Sequence, residues 1–196
     1  ELRYTQKPII VRASYYTSPR QHSIDEYTTE VANIINKVQS CTGAEKVDII
    51  THSMGGIVVR NLIKNNPLEA SKIRKVIMLA TPNHGGLYNV GQIADVLVNQ
   101  TQQRELNITF DFLQLSEDHL FMQTLNENEG EETQGKIVYY TIARDSDGKG
   151  DGLVLKESVA LQRAQNSIVP CNHLAIKNPH RCPAMYDVVK EALVGE

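Results

Sequence analysis

At 196 residues the chain is long enough to bury one sizeable core and reads as a single domain, residues 1–196. Hydrophobic residues make up 41% and charged residues 22%, as in ordinary globular proteins, and the net charge of −3 mixes both signs, which leaves no basic stripe for nucleic acid. Trp is absent, which argues against an aromatic platform for single strands, and no apolar run approaches the ~20 residues that cross a bilayer. The chain begins at Glu1 rather than Met, so the lack of a leader leaves the compartment open, with an extracellular or secretory setting favoured.

In chain order, Pro8–Ala13 is a short β-rich run that ends in a polar loop. Ser23 is placed to cap a helix over about 24–39, with Glu26 as its capping-box partner and Val31, Ile34, Ile35 and Val38 on one face. Lys46–Thr51 reads as a buried strand, 54–64 as an apolar helix stopped by Asn65-Asn66-Pro67, and Lys75–Ala80 as the next strand. Residues 87–134 are too long for a simple connection. They carry two helical patterns and an acidic segment, and so read as a cap or lid over a site, or as two ordinary packing helices. Lys136–Ile142 is a further strand, and a last helix covers about 185–193. Strands separated by single helices imply parallel crossovers, hence an α/β protein with a mostly parallel sheet and helices on both faces.

The most informative segment is Val47-Asp48-Ile49-Ile50-Thr51-His52-Ser53-Met54-Gly55-Gly56-Ile57-Val58-Val59-Arg60. A buried strand meets an apolar helix through a tight turn with Ser53 at its tip, which places a hydroxyl at the carboxyl end of a parallel strand, where such sheets bind ligands. The N–H of Met54 lies at the start of the helix, where negative charge is favoured, and is a donor for a developing oxyanion. The pattern is that of a G-x-S-x-G nucleophile elbow with Thr51 in place of the first Gly.

This elbow resembles that of lipase-like α/β-hydrolases, a group that includes bacterial triacylglycerol lipases and GPI inositol-deacylase-like and lecithin–cholesterol-acyltransferase-like hydrolases. The likeness continues through Ala80-Thr81-Pro82-Asn83-His84-Gly85-Gly86, from Gln114-Leu115-Ser116 to Leu125-Asn126, and through Gly150-Asp151-Gly152-Leu153-Val154. It implies an α/β-hydrolase-like fold, a serine esterase activity on acylglycerols or other lipid esters, transient contact with a lipid or membrane surface, and contact between the 87–134 insertion and an acyl chain. It implies no cofactor.

A serine hydroxyl barely ionises near neutral pH and needs a base, and the base needs a carboxylate to hold its tautomer. In this superfamily the order along the chain is Ser, acid, His. His173, on a loop before the last helix, has that order and matches the family's His-containing loop; His180 is the reserve. His22 and His52 precede Ser53, His84 supports the loop after the next strand, and His119 lies in the insertion. Asp151 is the favoured acid because Asp-Gly-Leu-Val resembles the family's pattern, with Asp145 and Asp147 as alternatives in the same loop.

No metal is assigned. Asp145, Asp147 and Asp151 mimic calcium-loop positions 1, 3 and 7, but Lys149 and Lys156 stand at positions 5 and 12, where oxygen ligands are required. Cys171 and His173 lack a second cluster to complete a zinc site. Cys171 and Cys182 could close a short loop as a disulfide, which spacing alone leaves open. No His-Gly loop precedes Ser53 to supply a second oxyanion donor. Either the earliest strands lie upstream of Glu1, or Pro8–Val11 is the early strand and Arg12–Tyr16 contribute the donor. The missing donor also admits a different class, a catalytically impaired lipid- or partner-binding domain on a hydrolase fold.

Overall fold

The computed structural model describes residues 9–13, 23–86, 120–131, 133, 135–144 and 150–195. Four parallel strands form one sheet in the order β1 (Val47–His52), β2 (Ile73–Leu79), β3 (Val138–Ala143) and β4 (Gln165–Ile168). Register runs evenly at the carboxyl ends, where His52 pairs with Leu79, Leu79 with Ile142, and Ile142 with Ser167. All four strands therefore finish at one edge, and the loops that follow them converge there.

β2 is the middle of this arrangement and is buried on both faces, which explains its continuous apolar run rather than an alternating one. Ile77 and Leu79 pack with Tyr140 and Ile142 against α6 (Pro183–Val194) and the loop before it. Val76 and Met78 pack with Tyr139 against α1 (Ile24–Thr42) and α2 (Met54–Asn65). Helices thus cover both faces, as the alternating pattern implies. Three short helices, α3 (Pro67–Ala70), α4 (Leu120–Asn126) and α5 (Lys156–Val159), complete the described elements.

Local chemistry explains the main boundaries. Ser23 Oγ accepts from the Glu26 N–H at 3.2 Å while Glu26 Oε2 accepts from the Ser23 N–H at 2.8 Å, a reciprocal box that starts α1. Gly43, at φ 70°, ends it. Lys75 is buried within β2, and its ammonium donates to the carbonyls of Ala192 and Gly195, capping the carbonyl end of α6.

Ile9–Ala13 differ from the strand expected there. They are described without strand structure, and Ile10 is 88% exposed, so these β-branched residues have no ladder to join among the described residues. Of the 87–134 insertion, α4 is described and buries Met122 and Leu125 against Ile57, Val58 and Tyr27. The helical pattern near 89–103 lies outside the described residues, as does most of that near 110–125. No helix among the described residues is long and apolar enough to cross a membrane.

α2 approaches the turn after β2 so closely that a Cβ on Gly56 would sit 2.3 Å from Thr81 Oγ1. Thr81 is fully buried, so it cannot swing aside into solvent. Gly56→Ala should therefore cost about 1–3 kcal/mol of stability through overpacking, measured by urea unfolding. An unchanged midpoint would refute this packing account.

Candidate active site

Ser53 links β1 directly to α2 and adopts φ 54° and ψ −133°. That left-handed backbone is uncommon for a residue with a Cβ and costs on the order of 1–3 kcal/mol unless its surroundings hold it. Both of its polar backbone groups are held. Its N–H donates to the Leu79 carbonyl at 2.9 Å, and its carbonyl accepts from Thr81 Oγ1 at 3.0 Å and from the Gly56 N–H at 3.1 Å. The elbow is thus pinned by the end of β2, the strand next to it. Met54 opens α2, so its N–H has no intrahelical carbonyl to bond.

Asp151 follows β3 and His173 follows β4. Gly150 has φ +61°, and a Cβ there would lie 2.0 Å from the Val154 carbonyl oxygen, so the turn that presents Asp151 requires glycine. Asp151 Oδ1 accepts from the N–H groups of Leu153 at 2.9 Å and Val154 at 2.8 Å. Its Oδ2 accepts from His173 Nδ1 at 2.6 Å, and His173 Nε2 lies 3.0 Å from Ser53 Oγ. With Nδ1 donating to the carboxylate, Nε2 is the acceptor for the serine hydroxyl. Asp151 and His173 are both buried. The structure thus brings the three sequence-chosen residues into one hydrogen-bonded line.

Electrostatics match that line. Burial alone would push the Asp151 carboxyl up, but the hydrogen bond and charge of His173, with the Val154 and Leu153 N–H groups, hold it below the usual carboxylate value. His180 is exposed on the turn before α6, and the ring nitrogen at Ser53 is that of His173. Asp145, Asp147, His22 and His119 lie outside the described residues. No cluster of three or more His, Cys, Asp or Glu suited to a metal ion occurs among the described residues.

Several supporting residues escaped sequence reasoning. In the sequence Thr81 and Asn83 stand out only as part of the family-like stretch from Ala80 to Gly86, yet Thr81 fixes the elbow. Asn83 ties α2 to α5, accepting from buried Arg60 Nη1 at its carbonyl (3.2 Å) and donating from Nδ2 to the Val159 carbonyl at 2.7 Å. His84 does support the loop after β2: its N–H donates to the Ser158 carbonyl at 3.0 Å, and its Nε2 meets Glu129 Oε2 at 2.6 Å. Cys171 and Cys182 form a disulfide with Cα atoms 5.9 Å apart, closing the loop that carries His173, while Cys41 is free and exposed. Their spacing was the only signal for it.

Residues 25–109 match a family described as "Domain of unknown function (DUF7379)". No curated protein matches the chain. Among solved structures, the mature lipase BlEst2 of Bacillus licheniformis superposes with a TM-score of 0.66 at 17% identity, over 89% of this chain and 76% of that one. The metagenomic carboxyl esterase MGS0156 gives 0.62 at 13% identity, over 88% and 62%. The bromoperoxidase of Bacillus anthracis gives 0.59 at 12% identity, over 92% and 77%. The propeptide form of BlEst2 is spanned to 42% of its length. At such identities the likeness is one of fold, and the fold is that of the α/β-hydrolases.

Two outcomes follow from this geometry. Replacing Cys171 and Cys182 by Ser should lower stability by about 2–3 kcal/mol, because the disulfide limits the unfolded chain. Thiol titration of the unreduced, denatured protein should count Cys41 alone; extra thiols would contradict the bridge. Burial and the charge of His173, with a smaller contribution from Lys177, lower the His52 pKa to about 4, against raising effects from its bond to the His173 carbonyl and from Asp151. Between pH 6.5 and about 4 the unfolded chain binds a proton at His52 that the native chain refuses, so stability falls as pH drops through that window. The depressed Asp151 carboxyl adds stability above its unfolded value, lost only as pH falls through its lower native one. Urea unfolding at about pH 7 and about pH 4.5 should show a pH slope that His52→Gln reduces; an equal slope in both proteins would exclude His52 as its source.

Proposed function

We propose that the chain is a serine hydrolase that cleaves carboxylic esters, lipid esters first among them, through an acyl-enzyme. The observation that carries this reading is the continuous line from Asp151 Oδ2 through both His173 ring nitrogens to Ser53 Oγ, at 2.6 and 3.0 Å. Ser53 Oγ attacks the ester carbonyl as His173 Nε2 takes the hydroxyl proton, and Asp151 stabilises the imidazolium that forms. The tetrahedral oxyanion is steadied by the Met54 N–H at the positive end of α2. When the intermediate collapses, His173 returns the proton to the departing alkoxide, which leaves as the alcohol. Water then attacks the acyl-enzyme by the same proton route, releasing the acid and restoring Ser53.

The lipid preference rests on the sequence resemblance, and the lipase and the carboxyl esterase among the structural neighbours support it. Residues 87–134 are proposed as a cap over the acyl chain; α4, at its carboxyl end, packs on α1 and α2. Labelling with a fluorophosphonate tests the reading. The wild type should label and Ser53→Ala should not, while Asp151→Asn should lower kcat on a p-nitrophenyl ester by about 10⁴-fold, as expected when the base loses its tautomer. A folded wild type that neither labels nor turns over any ester would leave a hydrolase-fold binding domain as the better description. Full activity in Asp151→Asn would return the acid role to Asp145 or Asp147.

A further inference from the structure

We infer that His52 is a positioning residue, which holds the His173 loop through its ring and so sets the base between Asp151 and Ser53; this rests on the reading of Ser53 and His173 as nucleophile and base. His52 is the last residue of β1 and the covalent neighbour of Ser53. Its Nε2 lies 2.8 Å from the His173 carbonyl oxygen, and since a carbonyl can only accept, Nε2 carries the hydrogen. The two rings sit with centroids 4.7 Å apart at 51°. On the other side of the same residue, the His173 N–H donates to the Asp151 carbonyl at 3.2 Å. His173 is therefore gripped by its backbone from both directions, once from the acid and once from the residue beside the nucleophile.

That second grip matters because β4, the strand that leads into the His173 loop, stands at the far side of the sheet from β1. The order β1-β2-β3-β4 puts two strands between Ser53 and the strand that leads to His173. Errors in the placement of each strand would accumulate along that path. The His52 bond bypasses it, tying the His173 backbone directly to the elbow strand one residue from Ser53. A neutral His52 also spares the neighbouring imidazole a positive charge at the moment it becomes cationic. Burial and His173 itself favour that neutral form.

The experiment compares His52→Gln, whose amide nitrogen reaches the Nε2 position, with His52→Asn and His52→Leu, which place no donor there. Thermal unfolding first establishes which variants fold, and the polar Asn variant guards against loss of the Leu one. For esters of p-nitrophenol, His52→Asn and His52→Leu should lose about 10–100-fold in kcat with KM little changed, the penalty of a misplaced base. His52→Gln should stay close to wild type. In parallel, the proton NMR signal of His173 Nδ1–H, bonded to Asp151, should shift or broaden in His52→Asn and persist in His52→Gln. If folded His52→Asn keeps both wild-type kcat and the wild-type signal, the inference is wrong. If the wild type itself proves inert to esters and fluorophosphonate, the hydrolase reading fails separately. The NMR comparison then decides alone whether His52 sets the ring, an unmoved signal overturning it.

Discussion

A serine at φ 54° does not stay there by its own preference, and the rest of the site is arranged around keeping it there. The force comes from β2. Its last residue, Leu79, takes the Ser53 N–H, and Thr81 two residues on gives its hydroxyl to the Ser53 carbonyl. β2 can do this because it is buried on both faces and cannot shift without disturbing two cores. The missing side chain at Gly56 lets α2 come close enough for Thr81 to reach across. Sequence, packing and backbone strain therefore meet at one contact, Gly56 against Thr81.

The parallel sheet explains why residues so distant in sequence can act together. Ser53 and His173 are separated by 120 positions and still lie within hydrogen-bond distance. Each follows a strand that ends at the same edge, in register with its neighbour. Loops from such ends need only short spans to meet, and here they are tied down locally. Asp151 is fixed by two N–H groups of its own turn, and the His173 loop by the Cys171–Cys182 bridge. Buried charge is tolerated because it is paired: the carboxylate spends both oxygens on donors.

Much of this was legible beforehand, for physical reasons. The elbow announces itself through an apolar run between Gly43 and Gly55, β2 through one between Lys75 and Thr81-Pro82, and α1 through its cap and its period of 3.6. Helix ends moved by only two or three residues: α1 reaches Thr42 and α6 begins at Pro183, a residue preordained for a first turn. Long-range contacts carry no such local signal. Nothing around His52 announces a bond to a carbonyl 121 positions away, and nothing in Thr81 announces that it would brace Ser53. Ile9–Ala13 shows the opposite failure. Its β-branched residues satisfy local propensity, but a strand exists only where a neighbour offers a ladder, and propensity is silent on neighbours.

Constraint is also distributed unevenly along the line of three residues, and the gradient fits the proposed chemistry. Asp151 is held at both carboxylate oxygens and at its own N–H, which donates to the Val154 carbonyl. His173 is held at its N–H, its carbonyl and its Nδ1. Ser53 is held firmly at its backbone, but among the described residues its hydroxyl meets only the His173 Nε2, at the longer of the two distances in the line. An orienting carboxylate and a base work best when they need not rearrange during the reaction. A nucleophilic oxygen has to move toward a carbonyl carbon, and a single rotation about χ1 suffices when one contact restrains it. A fixed carboxylate, a fixed imidazole and a hydroxyl with one restraint are together what the proposed attack from a strained elbow would require.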